Sequence, residues 1–228
     1  MNKPLVIAID GPAGAGKSTV AQMLAARLGL AYVDSGATYR AAALKVIESG
    51  VAPDDEEGIA RVVAAADIRF VSHGTQPQVF LDGKDVTTKI RTPEVTQAAS
   101  RVSRLPAVRQ KLIALQRSMV REPGVVMEGR DIGTVVFPDA PLKIFLLAEP
   151  EERARRRVRQ DQQEGRPASL EETLAEISRR DRRDAERQVS PLVPAEDAVI
   201  LDSTRLTAEE VVEQILELVR ARKLLDLQ

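Results

Sequence analysis

The strongest constraint on the fold is a short apolar run that leads directly into a glycine-rich turn. Residues 5–9 form a continuous segment rich in β-branched side chains, which is typical of a strand buried on both faces. Residues 11–18 then match the pattern G-x-x-x-x-G-K-[ST] without a mismatch. Residues 19–28 show apolar positions at helical spacing and end at Gly29. A strand, a tight turn and a helix in this order predict an α/β fold built on a parallel sheet.

The turn itself predicts a site for phosphate groups. Glycines allow successive backbone N–H groups to point at phosphate oxygens, and the N-terminus of the next helix adds positive potential. Lys17 would reach the β- and γ-phosphates of a nucleotide, and the Ser18 hydroxyl can bind Mg²⁺. We expect the Lys17 side chain to face solvent and phosphates and not the core. The residues predicted to bind a nucleoside triphosphate are Gly11, Pro12, Ala13, Gly14, Ala15, Gly16, Lys17, Ser18 and Thr19.

The alternation of strands and helices continues along the chain. Further short apolar runs predict strands of the same sheet at residues 31–33, 125–127, 142–147 and 198–201. Helical spacing predicts helices at residues 37–48, 106–122, 151–164, 169–187 and 207–222. We therefore predict an α/β chain with a five-stranded parallel sheet flanked by helices.

The middle of the chain breaks this alternation. Residues 67–71 and 78–81 have the composition of strands, and Asp82-Gly83 is a signal for a hairpin turn. We predict a small antiparallel insertion at residues 62–101, placed within a core domain formed by residues 1–61 and 102–228.

Composition excludes several kinds of chemistry. The chain has no cysteine, so disulfides, thiolate zinc sites and cysteine nucleophiles are impossible, and its one histidine, His73, rules out multi-histidine metal sites. Its one asparagine is Asn2, so the guanine-binding N-K-x-D signature is absent. A net charge of -1 argues against binding to nucleic-acid polymers. No run of about 18 apolar residues and no signal-peptide pattern occur, so we expect a cytoplasmic protein without membrane contact.

Two charged segments follow predicted strands, at the edge of the sheet where α/β proteins bind ligands. In the first, Asp34 can hold a Mg²⁺-bound water and Arg40 can bind a phosphate; a cap by Ser35 beside a surface arginine is the alternative. In the second, Arg130 suits bidentate binding of a phosphate, and Asp131 can accept hydrogen bonds from an amine. A purely structural Arg–Asp pair is the alternative for this second segment.

Residues 151–187 contain eleven arginines, ten acidic residues and no lysine. Most of these side chains are expected on a solvated, ion-paired surface. Arg153, Arg156 and Arg157 are near a hinge-like Gly-Arg-Pro sequence, which is typical of a mobile lid, here at about residues 151–167. Arginines that close over a transferred phosphoryl group would stabilise the charge that develops on it.

Several of these motifs together resemble the bacterial cytidylate kinases of the nucleoside monophosphate kinase family. The resemblance covers nearly the whole chain and rests on the phosphate-binding turn, Asp34-Ser35-Gly36, Tyr39-Arg40, residues 129–138 and residues 180–184. It implies a P-loop NTPase fold in which the antiparallel insertion binds the monophosphate and a helical lid closes. It also implies a monomer that phosphorylates CMP and dCMP by direct in-line transfer, with ATP as donor and Mg²⁺ as cofactor.

The resemblance also implies a role for each matching residue. Ser100, Arg109 and Asp131 would recognise the cytosine, and Arg40, Arg130 and Arg187 would hold the acceptor phosphate. Arg180 and Asp184 would contact the sugar, and Ser35 belongs to the same substrate site. The predicted catalytic residues are Lys17, Arg130, Arg156, Arg157 and Arg187, and the predicted Mg²⁺ ligands are Ser18 and Asp34.

Two other functions remain open on the sequence alone. A kinase for another small acceptor, such as UMP or a shikimate-like or gluconate-like compound, would use the same phosphate-binding turn. The insertion and the Gly129-Arg130-Asp131 run disfavour that alternative. A non-catalytic nucleotide-dependent switch is the second alternative, and the missing N-K-x-D signature disfavours a GTP-dependent one.

Overall fold

The structure, a computed structural model, describes residues 3–73, 76–163, 165–187 and 189–225. Within these residues the strands are β1 (Leu5–Asp10), β2 (Ala31–Asp34), β3 (Ile68–His73), β4 (Gln76–Leu81), β5 (Lys84–Asp85), β6 (Gly124–Gly129), β7 (Leu142–Leu147) and β8 (Val199–Asp202). The helices are α1 (Lys17–Leu28), α2 (Ser35–Glu48), α3 (Glu56–Ala65), α4 (Pro93–Val102), α5 (Pro106–Ser118), α6 (Pro150–Gln163), α7 (Leu170–Ala185) and α8 (Ala208–Ala221). None of these helices is both long and apolar enough to cross a membrane.

The chain divides into two compact units. The terminal unit comprises Met1–Leu30 and Glu122–Gln228, and the middle unit comprises Ala31–Arg121. Residues 74 and 75 of the predicted insertion and residue 164 of the predicted lid lie outside the described residues.

The larger sheet has five strands in the order β2-β6-β1-β7-β8, which confirms the predicted parallel sheet. β1 pairs in parallel with β6 and with β7, and β7 pairs in parallel with β8. All six residues of β1 and all six of β6 are buried, as expected for apolar strands that are covered on both faces. Because the strands are parallel, Asp10 at the end of β1 is directly opposite Gly129 at the end of β6.

The middle unit contains a three-stranded antiparallel sheet in the order β3-β4-β5. Asp82 (φ 49°) and Gly83 (φ 79°) form the two-residue turn between β4 and β5, which confirms the predicted hairpin turn. The apolar core of this unit includes the fully buried Leu44, Val63 and Leu112 from three different helices.

Two helices of the middle unit, α3 and α4, were not predicted. The Asp55 carboxylate accepts a hydrogen bond from the Gly58 amide at 2.8 Å, and the Thr92 hydroxyl accepts one from Val95 at 3.4 Å. Pro93 is the first residue of α4, a position that proline favours. Both helices therefore carry N-cap signals that are visible in the sequence, and an interpretation based only on strands and turns overlooked them.

Other helix ends differ from the predicted ones by a few residues. α1 begins at Lys17 instead of residue 19, and α5 ends at Ser118 instead of residue 122. α2 begins at Ser35 because the Asp34 side chain accepts a hydrogen bond from the Ala37 amide and caps the helix.

Candidate active site

The phosphate-binding turn connects β1 to α1 in the terminal unit. Gly11, Gly14 and Gly16 have positive φ values of 146°, 78° and 91°. A Cβ atom at Gly11 would be 2.1 Å from the carbonyl oxygen of Leu146, so only glycine fits there. Gly16 is the N-cap residue of α1, so no capping side chain of that residue competes for the first amides of the helix. These amides are therefore suited to bind phosphate oxygens.

Lys17 is buried at the start of α1. The residue is 5% exposed, and its Nζ donates a hydrogen bond to the carbonyl oxygen of Pro12 at 2.7 Å. Burial, followed by the positive charges of Arg130 and Arg180, lowers the pKa of Lys17 from 10.5 to about 7. The prediction that Lys17 faces solvent is therefore wrong, whereas Ser18, the next residue, is exposed.

A buried carboxylate on α7 brings several predicted site residues together in the same unit. Asp184 is 1% exposed; it accepts a hydrogen bond from Nε of Arg130 at 3.0 Å and another from Arg187. Burial alone would raise the pKa of Asp184, but the charges of Arg130, Arg187 and Arg180 hold it below its ordinary value. The structure thus gathers three of the predicted substrate residues, Arg130, Arg180 and Arg187, around a fourth, the ionised carboxylate of Asp184.

Two further acidic residues are buried where β6 ends. Glu128 is 5% exposed and Asp131 is 6% exposed. Asp131 immediately precedes a π-helical turn, Ile132–Val136, and its side chain does not cap that turn. Carboxylates are buried only where other groups compensate the loss of hydration, so their position supports a functional interpretation of this segment.

In the middle unit, Asp34 and Arg40 form an ion pair. Nη2 of Arg40 is 2.5 Å from Oδ2 of Asp34, while Oδ1 of Asp34 accepts the hydrogen bond from Ala37 that caps α2. Burial would raise the pKa of Asp34, but the Arg40 guanidinium outweighs this effect and holds the pKa below its ordinary value. Ser35, the first residue of α2, is also buried, and it directly follows Asp34 in the sequence.

Arg109, on α5 of the middle unit, is also buried. Its guanidinium carbon is 5.7 Å from the centre of the Tyr39 ring, a cation–π distance, and its Nη1 donates to the Ser103 carbonyl at 3.3 Å. Ser100 is half-buried on α4. The structure therefore places Tyr39, which precedes Arg40 in the sequence, in contact with Arg109, one of the predicted base-binding residues.

The arginines of α6 differ in how they are held. Glu152 is shared by Arg155, Arg156 and Arg159, with nitrogen–oxygen distances of 3.7, 3.2 and 3.8 Å. Arg157 pairs with Asp161 at 3.1 Å, and its side chain is 49% exposed. One carboxylate can balance only one of the three positive charges that it contacts.

Two contacts hold the first turns of α6 and the segment after β8 against the phosphate-binding turn. Arg153 is 4% exposed; it donates to the Ala13 carbonyl at 3.1 Å and pairs with Asp181 on α7 at 2.6 Å. Arg156 donates to the Ser203 hydroxyl at 3.0 Å, and that hydroxyl is within hydrogen-bond distance of two carbonyl oxygens, Ala15 of the turn at 3.0 Å and Leu147 at 2.9 Å.

Sequence reasoning missed Ser203 altogether and missed Arg153 as a buried contact of the phosphate-binding turn. Ser203 directly follows β8, and this position at the carboxyl end of a core strand was the available signal. Nothing in the sequence separates Arg153 from the other arginines of its helix. Asp10 is a third residue that was missed, although it is a buried acid at the end of the first strand.

The predicted Mg²⁺ ligands offer oxygen donors, which this ion prefers. The Ser18 residue is exposed at the start of α1. Each Asp34 oxygen accepts one hydrogen bond, and a carboxylate oxygen has a second lone-pair direction that can bind a Mg²⁺-bound water. In the part of the chain that the structure describes, no cluster of three or more histidine, cysteine, aspartate or glutamate side chains could hold a metal ion.

Comparison with known proteins agrees with this chemistry. A family model described as cytidylate kinase matches residues 7–221. The chain is 51% identical to a cytidylate kinase from Pelotomaculum thermopropionicum over 222 residues, which cover 97% of this chain and 98% of that protein. It is also 51% identical to a cytidylate kinase from Azotobacter vinelandii over 224 residues, 97% of this chain and 98% of that protein. A gluconokinase structure from Sinorhizobium meliloti aligns with a TM-score of 0.50 at 14% identity, covering 98% and 96% of the two chains, a likeness of fold alone.

Proposed function

The chain belongs to the cytidylate kinase family, and from this premise we propose that it phosphorylates CMP and dCMP with ATP as the donor. One observation in the terminal unit supports this proposal most directly. Lys17, Arg130 and Arg180 are near enough for the two arginines to lower the pKa of the lysine. The carboxylates of Glu128 and Asp10 act on Lys17 in the opposite direction but only partly offset its lowered pKa, and the phosphates of a nucleotide would add further negative charge among these cations.

The proposed reaction is a direct in-line transfer. An oxygen of the CMP phosphate attacks the γ-phosphorus, and the bond from this phosphorus to the β,γ-bridging oxygen breaks, with its electron pair leaving on ADP. The backbone amides of Gly11 and of residues 13–19 hold the donor phosphates, while Pro12, which has no N–H group, is part of the same turn. The ammonium of Lys17 turns from the Pro12 carbonyl to the phosphates, whose negative charge raises its pKa and keeps it protonated. Arg156 and Arg157 stabilise the charge on the transferred group.

Mg²⁺ belongs to the same proposal. It would be held by phosphate oxygens and the Ser18 hydroxyl, with Asp34 as a predicted ligand through water, and it neutralises charge on the β- and γ-phosphates.

For the acceptor, we propose the roles that the resemblance implies. Arg40, Arg130 and Arg187 hold its phosphate, and Ser35, Arg180 and Asp184 complete the binding of phosphate and sugar.

Recognition of the base follows from complementary hydrogen bonds. Cytosine presents an N4 amine that donates to Asp131, while Ser100 and Arg109 serve its N3 and O2 acceptors. Uracil presents O4 to Asp131 instead, and an unpaired buried polar group costs about 1–3 kcal/mol. This corresponds to a roughly tenfold to hundredfold preference for CMP over UMP.

We also propose which segments of the chain form the core, the insertion and the lid. Residues 62–101, which lie inside the middle unit, form the monophosphate-binding insertion, and residues 1–61 and 102–228 form the core. Residues 151–167 form the lid, with Gly165 (φ 73°) as its flexible joint. The cytoplasmic location and the monomeric state remain predictions.

A panel of acceptors tests the proposed function. Release of ADP is measured with ATP and Mg²⁺ against the common nucleoside monophosphates, shikimate and gluconate. CMP and dCMP should give the highest kcat/KM, UMP a value about tenfold to hundredfold lower, and the non-nucleotides none. Turnover of shikimate or gluconate would establish a kinase for another acceptor. ATP binding without turnover of any acceptor would establish a nucleotide-dependent switch.

A further inference from the structure

Asp10 connects two functional segments of the terminal unit. It is the last residue of β1, it directly precedes Gly11 of the phosphate-binding turn, and it is 5% exposed. Its Oδ1 accepts a hydrogen bond from the Ile132 amide at 2.9 Å, and its Oδ2 accepts one from the Gly133 amide at 2.7 Å. Both carboxylate oxygens thus bind consecutive amides of the segment that follows Arg130 and Asp131.

These two bonds replace a cap that the turn would otherwise need. The first amides of a helical turn have no partner within the turn, and an aspartate just before it usually accepts from them. Asp131 occupies that position, yet its side chain does not cap the turn, and its backbone has φ −149° and ψ 27°. Its carbonyl oxygen accepts from Val135 and Val136 at 2.9 and 3.1 Å. Asp10 supplies the cap instead, so the Asp131 carboxylate is not used to hold its own turn.

Burial of the Asp10 carboxylate costs stability, and its two hydrogen bonds offset that cost only in part. Burial raises the pKa of Asp10 to about 6 even though the Gly133 and Ile132 amides lower it. A carboxylate whose pKa is raised on folding destabilises the fold at neutral pH, because the charged form has lost more hydration than it regains. An apolar side chain at this place in β1 would avoid that cost, but it would leave the buried amides of Ile132 and Gly133 without their acceptor.

We propose that Asp10 is a positioning residue for the acceptor: by holding the Ile132 and Gly133 amides it sets the backbone that presents Arg130 and Asp131. The proposal rests on the proposed CMP kinase function, because Arg130 and Asp131 are its acceptor-binding residues. The same carboxylate joins the acceptor-binding segment to the phosphate-binding turn, since Asp10 is covalently next to Gly11. Both of its hydrogen bonds go to the acceptor-binding segment, whereas its charge acts only weakly on Lys17. Loss of the carboxylate should therefore impair the acceptor more than the donor.

Asp10→Asn tests this inference, with Asp139→Asn as the matched control. Asparagine keeps the shape but offers one acceptor and turns an NH₂ group toward the second amide. Asp139 is an exposed aspartate near the same segment, so its replacement removes an equal charge without touching the turn. The KM for CMP should rise about tenfold in D10N, as expected for one lost charge-assisted hydrogen bond. The KM for ATP should change less than about twofold, because neither bond goes to the phosphate-binding turn.

A second variant and a ligand-independent measurement complete the test. Asp10→Ala removes both acceptors, so its KM for CMP should exceed that of D10N, and if D10A does not fold, D10N alone decides. Hydrogen exchange of the Ile132 and Gly133 amides should be at least about tenfold faster in D10N than in the wild type and in D139N. Equal effects on the KM values for CMP and ATP, or unchanged exchange at both amides, would overturn the proposal.

The same measurements separate this inference from the proposed function. If the wild type and D139N do not phosphorylate CMP at all, the proposed function is wrong. Hydrogen exchange at the two amides then still decides whether Asp10 holds the turn.

Discussion

Replacing Lys17 by methionine should abolish turnover and yet stabilise the protein in the absence of nucleotides. The pKa of Lys17 is about 7 in the fold and 10.5 ordinarily, mainly because of burial. The charged ammonium therefore costs about 4 kcal/mol of folding free energy at pH 7, since a tenfold change in protonation corresponds to about 1.4 kcal/mol. Methionine removes this cost and loses the hydrogen bond to Pro12, which is worth about 2 kcal/mol. The net gain of about 2 kcal/mol should raise Tm by about 4–8 °C.

Lys143 provides a matched control, because it is a buried lysine with a partner. It is 6% exposed, its Nζ is 2.7 Å from Oδ1 of Asp197, and it also donates to the carbonyl of Pro138. Lys143→Met removes a paired charge and leaves a buried carbonyl without its donor, at a cost of about 1–3 kcal/mol. K17M and K143M should therefore shift Tm in opposite directions.

Calorimetry without nucleotides and a turnover assay with CMP test this prediction. Between pH 7 and 10.5 the folded wild type has fewer protons on Lys17 than the unfolded chain, so its stability rises with pH in that window. The advantage of K17M should therefore shrink as the pH is raised from 7 toward 10.5. A K17M protein that melts at or below the wild-type temperature at pH 7 refutes the burial argument. Retention of more than about a tenth of the turnover refutes the phosphate role.

Three further predictions concern the acceptor and the lid. Asp131→Ala should lower kcat/KM for CMP about tenfold more than for UMP, and an equal loss for both substrates in the ADP-release assay would leave Asp131 a structural residue. Arg157→Ala should lower kcat by at least about tenfold without changing Tm, because its side chain is 49% exposed, whereas Arg156→Ala should lower both, because Arg156 also holds Ser203. Steady-state kinetics and calorimetry on the two variants decide this, and matching Tm losses would contradict it. Hydrogen exchange across residues 151–166 should slow when a bisubstrate inhibitor binds, and identical exchange with and without it would exclude a lid.

Features that depend on neighbouring residues could be predicted from the sequence. The phosphate-binding turn needs glycines at fixed spacing after a strand, and those glycines have the positive φ values that the pattern implies. The central strands β1, β6 and β7 are buried and consist of continuous apolar runs, and the edge strands β2 and β8 are short apolar runs although they are partly exposed, so the five-stranded parallel sheet could be recognised. The two-residue turn at Asp82-Gly83 has an equally local cause.

Features that depend on distant partners could not be predicted in this way. The arginines of α6 look alike in sequence, yet Arg153 is buried and Arg157 is half exposed, because only Arg153 faces the Ala13 carbonyl and Asp181. The lowered pKa of Lys17 likewise depends in part on Arg130 and Arg180, which are more than a hundred residues away along the chain. The burial of a side chain and the charges around it depend on its neighbours in space. The sequence pattern predicts them only where those neighbours are also close along the chain.

For Asp10, the position follows from the sequence, whereas its hydrogen-bond partners follow only from the tertiary structure. The sequence by itself places an acid at the end of a buried strand, one residue before the phosphate-binding turn. Only the parallel pairing of β1 with β6, in the register that sets Asp10 opposite Gly129, brings the amides of Ile132 and Gly133 to its carboxylate. These amides are more than a hundred residues away along the chain, so local sequence propensity cannot predict their contact with Asp10. The tertiary structure alone decides what this carboxylate binds.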